Sequence, residues 1–178
     1  TVQTVDEAIR SAATFLRDCG VDSPRVDAEL LMAKALGLRR EGLVARGLAL
    51  LDEPTALAFN RWIARRGDAR EPLAYILGSW EFYGIEFKVT PSVLIPRPET
   101  EVLVARALEL IGDREARVAD IGTGSGAIAV AIALNSKAKV VATDISPRAI
   151  EIAKENARDR VEFRRGDLVR PLLGMEFD

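Results

Sequence analysis

The sequence predicts an α/β protein: a helical bundle, a β-hairpin, and then a partial parallel sheet with helices on its faces. Three observations carry this reading. Residues 1–70 show helical amphipathic spacing, 71–96 are rich in aromatic and β-branched residues, and from 97 onward short apolar runs alternate with helical segments. Regular strand and helix alternation argues for a parallel sheet, whose ligand should lie outside the carboxyl ends of the strands. The expected domains are 1–70 (helical, substrate-recognising), 71–96 (hairpin linker) and 97–178 (ligand-binding, incomplete).

Composition excludes several classes. With 48% apolar residues the 178-residue chain can build a packed core, and 25 basic against 27 acidic residues leave a net charge of -2. Such a balance argues against general binding to nucleic acid or to an anionic membrane. The single cysteine, Cys19, falls on the apolar face of the first predicted helix and has no disulfide partner, which fits a reducing cytoplasm. Without any histidine, neither a metal site nor a Ser/Cys–His catalytic pair is expected. No 18-residue apolar run or basic-then-apolar leader is present, so neither a membrane span nor a signal peptide is expected.

In chain order, Thr4-x-x-Glu7 reads as a capping box, followed by Val5, Ile9, Ala12, Leu16 and Cys19 at helical spacing until Gly20. Ser23-Pro24 opens a second helix with Val26, Leu30 and Ala33 as its buried stripe, ending at Gly37. A short helix is expected over 41–46, and Asp52 caps another in which Ala56, Phe59 and Ile63 share a face. Arg39, Arg40, Arg61, Arg65 and Arg66 read as a solvated surface. The hairpin arms are placed at 75–82 and 85–89, with Trp80, Phe82, Tyr83 and Phe87 joining the bundle to the second half of the chain. Pro98, Glu99 and Glu101 open a helix whose apolar body runs over 102–111.

The organising stretch is R-V-A-D-I-G-T-G-S-G-A-I-A-V-A-I-A, 117–133: strand, glycine turn, helix. Glycine can take φ > 0 and lets a ligand approach the backbone, while the next helix presents unpaired N–H groups at its first turn. Gly122, Gly124 and Ala127, with Asp144 further on, also satisfy the dinucleotide pattern G-x-G-x-x-G/A. Asp120 tips the choice, because a carboxylate there disfavours a pyrophosphate and suits an ammonium and a sulfonium, as in S-adenosylmethionine. Strands over 139–143 and 161–165 then lead into Asp144 and into Gly166-Asp167. Three acids thus share one rim: Asp120 for the methionine ammonium, Asp144 for the ribose diol and Asp167 for the adenine amino group.

The segments E-F-Y-G-I-E-F-K-V, V-L-I-P-R-P-E-T-E, D-I-G-T-G-S-G-A-I-A, T-D-I-S and G-D-L, in this order, resemble the HemK-type release-factor glutamine methyltransferases. The likeness spans nearly the whole chain, and I-P-R-P-E-T-E is its most discriminating part. It implies a Rossmann-like methyltransferase sheet and transfer of a methyl group from S-adenosyl-L-methionine. The acceptor is the side-chain amide of the glutamine in the Gly-Gly-Gln loop of peptide chain release factors. It implies that Gly122, Thr123, Gly124, Ser125 and Gly126 hold the methionine part, Asp144 the ribose, and Asp167 with Leu168 the adenine region. Arg97 and Thr100 match positions beside the cofactor.

Two departures stand out. The connection from Ala157 to Val161 is short for this family, and the sequence stops at Phe177-Asp178, where the family continues into a fourth strand and an Asn-Pro-Pro-Tyr loop that holds the substrate amide. The catalytic residues are therefore unassigned, the chain alone is expected to be inactive, and a sheet edge is expected to lie uncovered. The complete protein is expected to be a cytoplasmic monomer that binds release factors. Two other readings remain: a nicotinamide-dependent oxidoreductase, and a non-catalytic module that keeps the cofactor fold.

Overall fold

A computed structural model describes residues 3–178. The chain divides into two compact units, the first ending at Leu77 and the second running Gly78–Asp178. The expected boundary at residue 70 thus moves to residue 77, and the hairpin belongs to the second unit.

In the first unit, α1 (Val5–Asp18) starts on the predicted capping box. The Glu7 N–H donates to Thr4 Oγ1 at 3.3 Å and the Thr4 N–H to Glu7 Oε2 at 2.9 Å. Helix α2 (Pro24–Leu36) begins as expected, but Ser23 makes no side-chain cap bond, so Pro24, pre-set for a first helical turn, marks the start. Its buried stripe is Asp27, Ala28, Leu31, Met32 and Ala33, not Val26 and Leu30. Of the expected stripe only Ala33 is buried. Asp27 turns inward to meet Arg66, whose Nε lies 2.7 Å from Oδ2.

A 3₁₀ segment (Arg40–Arg46) replaces the expected short helix, and α3 (Glu53–Gly67) is capped by Asp52, whose Oδ1 accepts from the Thr55 N–H at 2.8 Å. Phe59 and Ile63 are buried along α3. Gly67 permits a close approach to α1, since a Cβ there would lie 2.5 Å from Phe15 Cε1. Arg65 bonds Glu71 through two nitrogens at 2.7 Å, and Arg40 pairs with Glu29 at 2.6 Å. Arg40 and Arg65 keep much of their side chains in solvent, as expected of a solvated face, while Arg66 departs from that reading because it turns in to the buried Asp27.

Residues 73–77 are not a strand arm but a short helix, α4 (Leu73–Leu77), started by Pro72, whose carbonyl accepts from the Tyr75 N–H at 3.0 Å. Strand-forming side chains are overridden here by the turn that proline begins.

The second unit opens with the antiparallel pair β1 (Ser79–Phe82) and β2 (Ile85–Lys88), linked by Tyr83 and Gly84 at φ 53 and 69. Positive φ at both turn residues matches the strand twist, and glycine accepts it without a Cβ clash. Phe82 and Phe87 meet edge to face at 6.2 Å and sit in the second unit's core with Val104, Ile111, Val130 and Ile132. These two aromatics serve their own unit's packing.

Next come α5 (Thr100–Ile111), β3 (Arg117–Ile121), α6 (Ala127–Asn135), β4 (Lys139–Asp144), α7 (Pro147–Ala157) and β5 (Glu162–Arg165). The three strands are parallel, as predicted, and lie in the order β3-β4-β5. In α5 only Val104 and Ile111 are buried, while Val102, Leu103 and Leu110 face outward, so the expected apolar body is a single stripe. The short Ala157–Val161 connection is a tight turn with Arg158 and Asp159 at φ 46 and 66. At the β3 edge, Asp178 and Arg117 exchange two bonds, N–H to carbonyl at 3.1 Å and N–H to Oδ2 at 2.8 Å. No helix among the described residues is long and apolar enough to cross a membrane.

Candidate functional site at the strand ends

Residues 122–126 leave β3 and enter α6 through three glycines at φ 76, 56 and 81. The Gly122 and Thr123 N–H groups both donate to the Thr143 carbonyl at 2.9 Å, and the Gly126 N–H donates to Thr123 O at 2.8 Å. The loop is thereby strapped to the end of β4. A Cβ on Gly122 or Gly124 would meet nothing within 4 Å, so the loop presents open space on that side. At Gly126 a Cβ would lie 3.1 Å from that of Ala153, and this glycine lets α6 and α7 pack. One motif thus serves two purposes: Gly126 packs helices and Gly122 and Gly124 leave room for a ligand.

Asp120 and Asp144 flank this loop. The Thr123 hydroxyl donates to Asp120 Oδ2 at 2.6 Å. Burial pushes the Asp120 carboxyl above its ordinary value, opposed by hydrogen bonds from Thr123 and the Ala129 N–H, while the Asp144 charge adds to the rise. Asp144 Oδ2 accepts from the Gly124 N–H and Oδ1 from the Ser146 N–H, both at 2.9 Å. A carboxylate has about four acceptor positions, so Asp144 retains capacity for two hydroxyls. Among the described residues no lysine or arginine pairs with either acid.

The remaining expected residues are less tightly gathered. Thr123, Ser125 and Gly126 are buried within the loop. Leu168 is exposed at φ 47, but its carbonyl accepts from the fully buried Thr143 hydroxyl at 3.1 Å, which ties the stretch after β5 to the end of β4. Asp167 lies exposed just beyond β5, 3.8 Å from Arg170. Arg97 and Thr100, before and at the start of α5, make no hydrogen bond or ion pair with this group among the described residues. A groove of about 460 Å³ lies elsewhere, against the hairpin turn and the ends of α6 and α7, lined by Gly84, Leu134 and Arg158 among others.

Two residues escaped the sequence reading. Thr143 is a buried β4 side chain whose polarity in an apolar strand was the signal. Asn156, near the end of α7, donates to the Ser125 carbonyl at 2.9 Å. An asparagine inside a helix is a poor helix former and could have been questioned on that ground.

Comparison with known proteins bears directly on this arrangement. Residues 7–78 match the PrmC N-terminal domain, and 98–164 match the ribosomal protein L11 methyltransferase (PrmA). The release factor glutamine methyltransferase of Moorella thermoacetica is 44% identical over 98% of this chain and 64% of its own length. That of Nitratidesulfovibrio vulgaris is 42% identical over 96% of this chain and 59% of its own. Over nearly its whole length the chain is similar to proteins named release factor glutamine methyltransferase. It spans 59–64% of the length of these curated relatives. That of Bordetella pertussis, at 46% identity over 90% of this chain and 59% of its own, extends the relation to a third organism. Among solved structures, an RNA methyltransferase from Salinibacter ruber in complex with S-adenosyl-L-homocysteine aligns with 43% of this chain and 52% of its own. The identity is 34% and the TM-score 0.37, too local a likeness to argue from. The relatives favour the methyltransferase reading over the nicotinamide alternative.

Proposed function

We propose that the strand-end site binds S-adenosyl-L-methionine, and that the protein methylates the side-chain amide nitrogen of the glutamine in the Gly-Gly-Gln loop of peptide chain release factors. The observation that carries this reading is the open glycine loop between two carboxylates that no lysine or arginine among the described residues neutralises. Those acids fit a ligand bringing an ammonium and a ribose diol, and similarity to enzymes named for release factor glutamine methylation supports the choice of substrate. When bound, the cofactor supplies a methyl group on a cationic sulfur. The chain's own residues bind and orient: Asp120 takes the ammonium, Asp144 the two ribose hydroxyls, Gly122 to Gly126 the methionine portion, and Asp167 with Leu168 the adenine side. Arg97 and Thr100 are proposed to lie beside the cofactor because the I-P-R-P-E-T-E segment that holds them resembles that family's segment.

A glutamine amide nitrogen is a poor nucleophile, because its lone pair is delocalised into the carbonyl. The main demand on the enzyme is to hold that nitrogen in line with the methyl group. Residues 1–70, which largely coincide with the PrmC N-terminal match, are assigned to recognising the release factor and 97–178 to binding the cofactor. The near-neutral net charge of -2 supports a protein partner over nucleic acid or membrane, and the single cysteine fits a reducing, cytoplasmic setting for a protein proposed to act as a monomer.

The test is transfer of labelled methyl from S-adenosylmethionine to a release factor by the protein expressed from its full reading frame. Label is expected on the Gly-Gly-Gln glutamine and is expected to vanish when that glutamine is replaced by alanine. Label retained in the alanine variant would contradict the assignment.

A further inference from the structure

We infer that Asn156 is a positioning residue that clasps the β-hairpin to the glycine loop and so holds the loop in its binding shape. This rests on the cofactor site proposed above. The Asn156 amide makes three bonds: Nδ2 donates to the Ser125 carbonyl at 2.9 Å and to the Lys88 carbonyl at 3.0 Å, and Oδ1 accepts from the Lys88 N–H at 2.8 Å. Toward Lys88 the side chain behaves like a neighbouring strand, exchanging a donor and an acceptor with one residue of β2. Its other proton reaches the one loop residue that lies between Gly124 and Gly126.

This placement matters because the loop itself is conformationally permissive. Its glycines at 122, 124 and 126 all have positive φ and lose more conformational freedom on ordering than other residues. Four bonds fix the strand side of the loop, from Gly122, Thr123 and Gly124 and from the Thr123 hydroxyl. The Ser125 carbonyl, on the helix side, is fixed by Asn156. Only a group that is donor and acceptor at once serves all three contacts, and an amide is such a group. The Lys88 side chain is not part of the clasp, since it reaches outward to Glu155 at 2.5 Å.

Asn156→Asp tests this, because it keeps the acceptor for the Lys88 N–H and removes both donors. Phe87→Leu serves as a control that loosens the hairpin's packing without touching the clasp. Two quantities are read in each variant: affinity for S-adenosylhomocysteine by calorimetry, and amide hydrogen exchange at Gly124 and Gly126 without ligand. Asn156→Asp should weaken binding about tenfold and speed exchange at those glycines by a similar factor, the scale of the lost bond to the loop's Ser125 carbonyl with that acceptor left bare. Phe87→Leu should change both less than about twofold despite a lowered melting temperature. Unchanged glycine exchange in Asn156→Asp, or equal effects in the two variants, would overturn the inference. Wild-type protein that binds no S-adenosylhomocysteine, while Asn156→Asp still speeds the glycine amides, would overturn the cofactor site and leave the clasp standing.

Discussion

In the helical unit Asp27, Glu29 and Glu71 each face an arginine, whereas at the strand ends of the second unit Asp120 and Asp144 face only hydroxyl and amide donors. The consequences are opposite. Hydrogen bonds from Arg65 hold Glu71 below its ordinary value, and at Glu29 burial acts upward but the bonds from Arg25 and Arg40 win. Asp120 is instead raised, chiefly by burial. Acids matched with arginine are satisfied within the helical unit. An acid left raised beside an open loop is destabilising to the fold, and a cation arriving as a ligand can offset that.

The largest expected break in this contrast comes from the loop. Gly124→Val places a β-branched residue at φ 56 and fills the open side of the turn. S-Adenosylhomocysteine affinity should fall by about 3 kcal/mol or more, read by calorimetry. Arg66→Ala acts on the other unit: it strands the buried Asp27 and should cost about 3 kcal/mol of stability in denaturant unfolding. Cofactor affinity should be unchanged in that variant. If it fell in parallel, the division of labour between the two sets of acids would be wrong.

Asp144→Ala should weaken cofactor binding by about 1.5 to 3 kcal/mol, the range for hydrogen bonds to a charged acceptor. Some of that loss belongs to the loop, since Asp144 also accepts from Gly124 and Ser146. Asp120→Asn should leave the melting temperature at pH 7 unchanged or higher. The sign comes from linkage: a raised folded-state value gives a contribution that is full below the unfolded value of about 3.9 and is lost as pH rises through the folded one. At neutral pH the wild-type carboxylate therefore destabilises, and the amide relieves it. Lys88→Ala marks the floor of the scale, because its pair with Glu155 is half exposed and should contribute less than about 0.5 kcal/mol in thermal unfolding.

Much of this was legible in sequence. Capping boxes, glycine stops and alternating apolar runs located α1, α2, α3 and the whole β3-to-β5 series, because those signals are local. The glycine loop and its flanking acids were found for the same reason. The misses were set by tertiary partners. Asp27 turns inward only because Arg66, far along the chain, meets it, so the stripe of α2 was misphased. Tyr75 and its neighbours have strand-like side chains, yet Pro72 starts a helix there. Asn156 was missed because its contacts, Lys88 and Ser125, are distant in sequence and involve backbone atoms that no side-chain pattern announces.

The central claim is that Asp120 is kept free of cations so that it can receive the ammonium of S-adenosylmethionine. Its most direct test is calorimetric affinity for that ligand as a function of pH, in the wild type and in Asp120→Asn. The affinity of the wild type should fall as pH is lowered through the raised Asp120 value, above the usual aspartate range of about 3.9, because protonation removes the negative charge. The Asp120→Asn protein should bind more weakly at pH 7 and show no such fall. An identical pH profile in both proteins, or NAD binding in competition with S-adenosylmethionine, would contradict it.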